Sequence, residues 1–489
     1  MLTRKPESTR RAPADIVVIG GGTAGIVAAK TAAGFGAKVV LVERDRTGGD
    51  CLWTGCVPSK ALIAAGSAAA AIRRGQTFGI TASNVSIDFP KVMAHVRGAV
   101  ATIAPVDSPQ ALSDAGVVVI NGCARFTGPR SLAIGEDALT FTQAVIATGA
   151  RPAVPELAGL QTVEYLTSET IWDLDELPRR LLVLGGGSIG CELAQAFSRL
   201  GAAVTIIEAA DTLVPKEDPA AARALTAAMV ADGVEVVTAA AAQSITEKTL
   251  TLADGRAFGF DRVLVAVGRT PRTDSIGLDL AGVATDGRGY VTVDGHLRTS
   301  NPRIWAAGDL TGHPQFTHTA GMHGSIAATN AVLGLGRSVD TTAEPRVTFT
   351  DPEIAAVGVS PQSARRDPGL RVVTLAHHDL DRAIAEADTG GLAQLVLDRR
   401  RRIVGAAVVG PRAGETIGEL VLAVNQGLHT RDLAGATHPY PTYNDAPWNA
   451  SIADVRSQLQ GPVVARLIFV LTRLRRSWLR LRTVANSGR

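Results

Sequence analysis

The chain runs to 489 residues, enough for about three domains. Its 46% apolar but only 4% aromatic content is the texture of an α/β protein whose parallel sheets are buried on both faces. A net charge of +3 excludes a nucleic-acid binder by bulk electrostatics, and four cysteines exclude a secreted disulfide scaffold and fit redox chemistry in a reducing cytoplasm.

Residues 1–13 are basic without an apolar stretch, which reads as a short flexible lead and not a signal peptide. No uncharged apolar run approaches the roughly 18 residues of a spanning helix. Asp15 to Ile19 is a short apolar strand, followed by Gly20, Gly22 and Gly25 in the spacing G-x-G-x-x-G. An alanine-rich helix runs on to about Phe35, and a second strand, Lys38 to Val42, ends in Glu43. Glycines at that spacing allow a tight turn and a close approach of backbone to a pyrophosphate at the helix N-terminus. An acid at the end of the second strand can accept hydrogen bonds from ribose hydroxyls.

Next comes Gly48 to Lys60, GGDCLWTGCVPSK, with Cys51 and Cys56 five apart. A zinc site would need two further ligands nearby; the next cysteine is Cys123 and no histidine lies between Lys60 and Met93. The two thiols are otherwise readable as small buried hydrophobes. From Ile63 to about Ala111 the chain reads as helices interrupted near Phe78 to Phe89. Short strands are expected at Val117 to Ile120, Ala124 to Phe126 and Ala144 to Ala147, the last running into Thr148-Gly149.

The opening unit then recurs. Leu181 to Leu184 is a strand, Gly185, Gly187 and Gly190 repeat the turn, and Val204 to Ile207 leads to Glu208. Both acids lie 18 residues after the last glycine of their own motif, and the two units are offset by 165. That repeat predicts two dinucleotide sites. Glu208 favours NADH over NADPH, because a carboxylate accepts a free 2′-hydroxyl and repels a 2′-phosphate; Arg269 or Arg272, if close, would blur that preference. Beyond it come a strand at Arg262 to Val267 ending in Gly268-Arg269, the stretch TSNPRIWAAGD to Asp309, and a helix from Thr319 to Leu333. From Pro345 five strand-like runs (Val347 to Phe349, Ala355 to Gly358, Val372 to Ala376, Leu392 to Leu397, Ile403 to Val409) and helices at Ala413 to Gln426 and near Asp445 to Asp454 make an α+β unit.

The block Gly48 to Lys60 resembles the redox-active disulfide of the class I pyridine nucleotide-disulfide oxidoreductases, and the resemblance extends over roughly residues 14 to 455. It implies two Rossmann-like domains, for FAD (14–150 and 270–344) and for NAD (151–269), then a dimerisation domain (345–455). It also implies a homodimer in which each active site borrows residues from the other subunit. By the same resemblance Cys51 is the outer, interchange thiol and Cys56 the thiolate against the flavin. Lys60 and Glu192 form an ion pair beside the ring, Asp309 bonds the ribityl chain, and Gly49, Ala124, Thr148, Gly149 and Gly268 complete the cofactor lining. Cys123 and Cys191 have no motif.

The departure from the family lies at His438 to Asp445, HPYPTYND. Disulfide-reducing members carry His-Pro-Thr-x-x-Glu there; Tyr440 stands in the histidine position and Asp445 in the carboxylate position. A phenol with a pKa near 10 is a poor base at neutral pH where an imidazole is a good one. Tyrosine at this place resembles the mercuric reductases, yet no cysteine follows Cys191 to deliver the metal. The expected acceptor is therefore a small molecule of the mercuric-reductase kind or a quinone, with lipoamide-type disulfide reduction, or a membrane-attached module serving a protein partner, as the alternatives. Finally, residues 456–489 hold eight arginines and no acid among many apolar residues, which reads as an interfacial helix in peripheral contact with an anionic membrane.

Overall fold

The computed structural model describes residues 14–486, with side chains in its last helix to Arg480; the lead expected at 1–13 lies outside the described residues. The described residues form two compact units, 14–216 with 225–340, and 217–224 with 341–486.

The first unit is built on two parallel sheets. In one, Ala14–Ile19 is flanked by Val39–Glu43 and Asp137–Ile146, with Val117–Asn121 beyond the former and Ile304–Ala306 beside the latter. The first half of Asp137–Ile146 turns back antiparallel on Ser131–Ile134 and then Ala124–Gly128. Alternation along one strand feeds both faces: Ile16 and Val18 pack with the alanines of helix Thr23–Gly34, while Val17 and Ile19 pack with Phe126 and Phe141. Small residues let the covering helices come close. A Cβ on Gly324, in helix Thr317–Leu333, would lie 2.2 Å from the Ala24 carbonyl oxygen, so those helices touch backbone to backbone.

The second sheet orders Glu235–Val237, Ala203–Ile207, Arg180–Leu184, Arg262–Val265 and Tyr165–Leu166, all parallel. Its glycine loop repeats the first at atomic detail. Gly20 and Gly185 have φ of +105° and +106°, and a Cβ on either would lie 2.3 or 2.5 Å from a carbonyl oxygen, of Ala147 and Ala266 respectively. A Cβ on Gly25 or Gly190 would lie 1.8 or 2.0 Å from the first glycine's own oxygen. Only glycine fits at those four positions. The crossings between the sheets, Ala150–Pro152 and Arg269–Pro271, pair as an antiparallel ribbon. The strands of a small antiparallel meander (Ala242–Ile245, Thr249–Leu252, Ala257–Gly259) and Ser131–Ile134 escape the sequence reading.

In the second unit five antiparallel strands run in the order Pro345–Thr348, Glu353–Gly358, Ile403–Gly410, Leu392–Leu397, Arg371–Ala376. Helices Ala413–Asn425 and Asp445–Leu459 bury Ile417, Leu420, Ala446 and Ala450 in the same core as Leu395 and Val408. Asp454, fully buried, holds the second helix in place through Arg371, Arg401 and Thr430. The tail forms one helix, Pro462–Asn486. Among the described residues one helical stretch, Gly49–Phe78, is long and apolar enough to cross a membrane; it carries both close cysteines and buries Pro58, Ala61, Leu62 and Gly66 inside the first unit, as a core helix does.

Candidate active site

Each glycine loop ends on a helix whose first turn has no side-chain cap, at Gly22 before Thr23–Gly34 and at Gly187 before Ser188–Arg199. Those backbone N–H groups are ready for an anion. The two acids occupy equivalent places. Glu43 accepts from Gly21 N (2.6 Å) and Asp45 N (2.9 Å), and Glu208 accepts from Gly186 N (2.6 Å) and Ala210 N (2.7 Å). Each carboxylate is thereby fixed beside its own phosphate loop. Gly49 passes so near the first loop that a Cβ on it would lie 2.6 Å from Gly22 Cα. This contact brings the cysteine segment onto the loop formed by Gly20, Gly22 and Gly25.

Cys51 sits in the short helix Gly49–Trp53, and Cys56 is the first residue of helix Cys56–Arg74. Both are free thiols, half-buried. Cys56 Sγ lies 3.1 Å from Thr317 Oγ1. Lys60, one turn further along the same helix, donates to Glu192 at 2.8 Å. The hydrogen bond from Cys51 does most to bring the Cys56 thiol down to about 6, with Thr317 and the Lys60 charge adding to it against burial and Asp50. The same bond, with burial, pushes Cys51 up. A place at a helix N-terminus acts in the same direction for Cys56. The pair is thus polarised, with Cys56 the more acidic thiol and Cys51 the less acidic one.

The helix that begins at Cys56 also binds the two halves of the first unit together. A Cβ on Gly66 would lie 3.3 Å from Ala196 Cα, Arg73 donates to the Arg199 carbonyl at 2.9 Å, and Lys60 meets Glu192. Glu192, Ala196 and Arg199 all belong to the helix that follows the second glycine loop. Cysteine segment and second dinucleotide module are therefore positioned by a single packed pair of helices.

Three residues to which the sequence reading assigns no role beside the cysteines converge here. Arg269, reached from the return crossing, bonds Asp50 at 2.8 Å, lies 3.6 Å from Asp309 and donates to the Ala150 carbonyl. Burial raises the Asp309 carboxyl, with Arg269 opposing and Asp50 adding to it. Thr317 and Asp50 complete the set. Thr148 donates to the Arg272 carbonyl at 2.6 Å, and Gly149 and Gly268 take positive φ at the two crossings. Ala124 is buried at the start of its strand. Arg272 is tied to Glu169, so neither arginine of the return crossing is committed to Glu208. Cys191 is buried and bonds the Gly186 carbonyl.

In the second unit Tyr440 is 70% exposed. Its hydroxyl donates to Asp381, whose charge and hydrogen bond raise the phenol above its ordinary value. Asp445 is buried and accepts from Thr442 N at 2.9 Å, so Asp381 and not Asp445 partners the tyrosine. His438 is only 5% exposed in its side chain; it bonds Glu419 at 2.9 Å and stacks on Trp448. No metal-holding group of three or more His, Cys, Asp or Glu occurs among the described residues.

Residues 14–324 match the pyridine nucleotide-disulphide oxidoreductase family, and residues 344–451 its dimerisation domain. The chain belongs to this family. It is 37% identical over 448 residues to a mercuric reductase of Streptomyces lividans, covering 88% of this chain and 94% of that protein. It is likewise 37% identical over 452 residues to a dihydrolipoyl dehydrogenase of Geobacillus stearothermophilus, covering 89% and 95%. Among solved structures, the Cu(II) complex of the HOCl-induced flavoprotein disulfide reductase RclA from Escherichia coli superposes with a TM-score of 0.81 at 29% identity, over 91% of this chain and 100% of that one. The protein is therefore an enzyme, an FAD-dependent NAD(P)H disulfide oxidoreductase of class I, and its dimerisation domain supports a homodimer. The uncapped helix start and the glycines that no Cβ can replace fit the pyrophosphate of the family's FAD.

A pH prediction follows from the thiol pair. In the reduced enzyme, alkylation of Cys56 by iodoacetamide should rise as pH passes upward through about 6, well below the ordinary thiol range, because the thiolate is the reactive form. Asp50→Asn should move that midpoint down and Lys60→Met should move it up. Mass spectrometry of the Cys56 peptide against pH reads both shifts.

Proposed function

We propose that the enzyme takes two electrons from NADH in preference to NADPH and delivers them through the Cys51–Cys56 pair to a small acceptor. That acceptor is a reducible metal ion, as the names of the mercuric reductases and the Cu(II) complex suggest for those proteins, or a quinone. Bound FAD supplies the two-electron relay between nicotinamide and cysteines. In this reading 14–150 with 270–344 is the flavin domain, 151–269 the nicotinamide domain, and 345–455 the dimerisation domain of a cytoplasmic homodimer. Peripheral membrane contact through residues 456–489 belongs to the same reading.

The residues act as follows. One NADH and the Cys51–Cys56 bond give NAD⁺, a Cys56 thiolate and a Cys51 thiol; the hydride supplies both electrons and, by exchange with water, the thiol's one proton. Lys60, held by Glu192, stabilises negative charge at the ring and at Cys56. When the pair closes again and releases the thiol proton, its two electrons reduce one Hg(II) to Hg(0), or two Cu(II) to Cu(I), or one quinone, which takes up that proton and one more from water. A disulfide substrate would instead need a proton delivered to its leaving thiolate.

The observation that carries the choice of acceptor is Tyr440. It is exposed where the family's imidazole would stand, its hydrogen bond to Asp381 raises the phenol further above its ordinary value, and the nearby His438 is held beneath Trp448 by Glu419. A metal ion asks for electrons and soft ligands but no base.

Steady-state NADH oxidation by the purified yellow dimer tests the reading, with lipoamide, a water-soluble quinone, Hg(II) and Cu(II) compared at equal concentration. Turnover with a metal ion or the quinone should exceed that with lipoamide by at least ~100-fold, the lower end of what a positioned acid–base group contributes. Fast lipoamide turnover would overturn it.

A further inference from the structure

The tail helix Pro462–Asn486 lies outside both family-matched stretches, and its surface is divided. With 3.6 residues per turn, Arg466, Arg473, Arg476 and Arg480 fall within about a quarter of its circumference. Val463, Leu467, Val470, Leu471, Leu474 and Trp478 cover roughly the adjoining 100° of arc, while Phe469 falls among the arginines. These apolar side chains are exposed, Val463 to 79%, Leu467 to 57% and Leu474 to 62%. An apolar stripe of that length left open to water marks an interaction surface. One arginine, Arg475, falls within the apolar side, and its guanidinium lies 4.2 Å above the Trp478 ring, an arrangement that shields charge from hydrocarbon while leaving the head free to reach outward.

Charge decides what covers the stripe. Residues 462–480 contain five arginines and no acid. Packing residues 462–480 against a second copy of themselves would bring ten like charges together with no acid on either to offset them. A bilayer rich in anionic lipid supplies both halves of the match, hydrocarbon for the apolar side and phosphates for the arginines. Five arginines spread along the sequence also rule out a spanning orientation, because several would sit at hydrocarbon depth.

We propose that Pro462–Asn486 lies in the plane of an anionic bilayer surface, with the Val463, Leu467, Leu471 and Leu474 side sunk to the acyl boundary and the Arg466, Arg473, Arg476 and Arg480 stripe on lipid phosphates. This rests on the peripheral contact put forward above and specifies its orientation and lipid class. The helix then holds the dimer at the surface where lipid-soluble acceptors are dissolved.

The test is sedimentation of the full-length flavin-loaded enzyme with vesicles of phosphatidylcholine alone or with about 30% phosphatidylglycerol. Each surface cation adds roughly 1 kcal/mol to anionic-membrane binding, so partitioning should be at least ~100-fold stronger with phosphatidylglycerol and fall as salt is raised. Reversing three charges (Arg473→Glu, Arg476→Glu, Arg480→Glu) should abolish the lipid preference. Leu467→Asp with Leu474→Asp should abolish binding to both kinds of vesicle. Both variants should keep full NADH turnover with a water-soluble acceptor, which separates failure here from failure of the enzymatic reading. Equal binding to neutral and anionic vesicles, or no binding, overturns the proposal. So does light scattering that shows the leucine variant halving the mass of the particle in solution, since a second copy would then cover the face.

Discussion

Replacing Cys56 with serine is expected to reduce NADH-dependent reduction of the acceptor by at least ~10³-fold, the scale on which a covalent catalytic group is missed, while the protein remains yellow and dimeric. The reason lies in where Cys56 sits. It is the first residue of its helix, one turn before Lys60 and 3.1 Å from Thr317 Oγ1, and its Sγ interacts with Thr317 and Cys51 and belongs to neither glycine loop. Flavin binding should therefore survive while the thiolate is lost. Cys51→Ser should be equally inactive in turnover but should retain the low-pH alkylation of the remaining thiol in weakened form, because the hydrogen bond from Cys51 is the largest of the influences that lower Cys56. A Cys56→Ser enzyme that still reduces a quinone at the wild-type rate would show that electrons leave without passing through the cysteines, and the pair would then need another purpose.

What the sequence could and could not reveal follows from how far apart the interacting residues lie. The two glycine loops and their acids are local, 18 residues from last glycine to carboxylate in both units, and local spacing is what a sequence displays. Cys56 and Lys60 are four apart on one helix, so their shared face was equally visible. Arg269, in contrast, meets Asp50 across 219 residues and Asp309 across 40. It is brought there by the ribbon that pairs the two crossings, and nothing in the spacing of those residues announces the pairing. Thr317 gave no signal either, being an ordinary helix-opening residue until the fold sets it beside Cys56. The same holds for Tyr440. Its substitution for histidine was plain, but its partner was read as Asp445, five residues on, when the helix Asp445–Leu459 turns that carboxylate inward to Thr442. Asp381, from a distant segment of the same unit, takes its place. The meander strands at 242–259 were missed because each is only three or four residues long, too short for alternation to register.

The second large effect expected is in coenzyme choice, with kcat/KM for NADH exceeding that for NADPH by about two powers of ten. Glu208 is immobilised by Gly186 N and Ala210 N, so it cannot swing away from a 2′-phosphate. At an effective dielectric of about 20, a pair of like unit charges 5 Å apart costs roughly 3 kcal/mol, and each 1.4 kcal/mol is about a tenfold change. The segment after Glu208 offers no relief, since it continues Ala209, Ala210, Asp211 with no base before Lys216. The two arginines that might have received a phosphate are engaged elsewhere, Arg269 with Asp50 and Arg272 with Glu169. Glu208→Gln keeps an acceptor for one of the two backbone N–H groups and removes the charge, so it should narrow the ratio to about tenfold or less, mainly by lowering KM for NADPH. Glu208→Arg should go further and favour NADPH, at some cost in loop stability because both N–H groups then lose their carboxylate. Initial rates with each coenzyme for the three proteins decide the matter. A wild-type enzyme that prefers NADPH would mean that a cation from outside this loop reaches the 2′ position, and the Glu208 argument would fall with it.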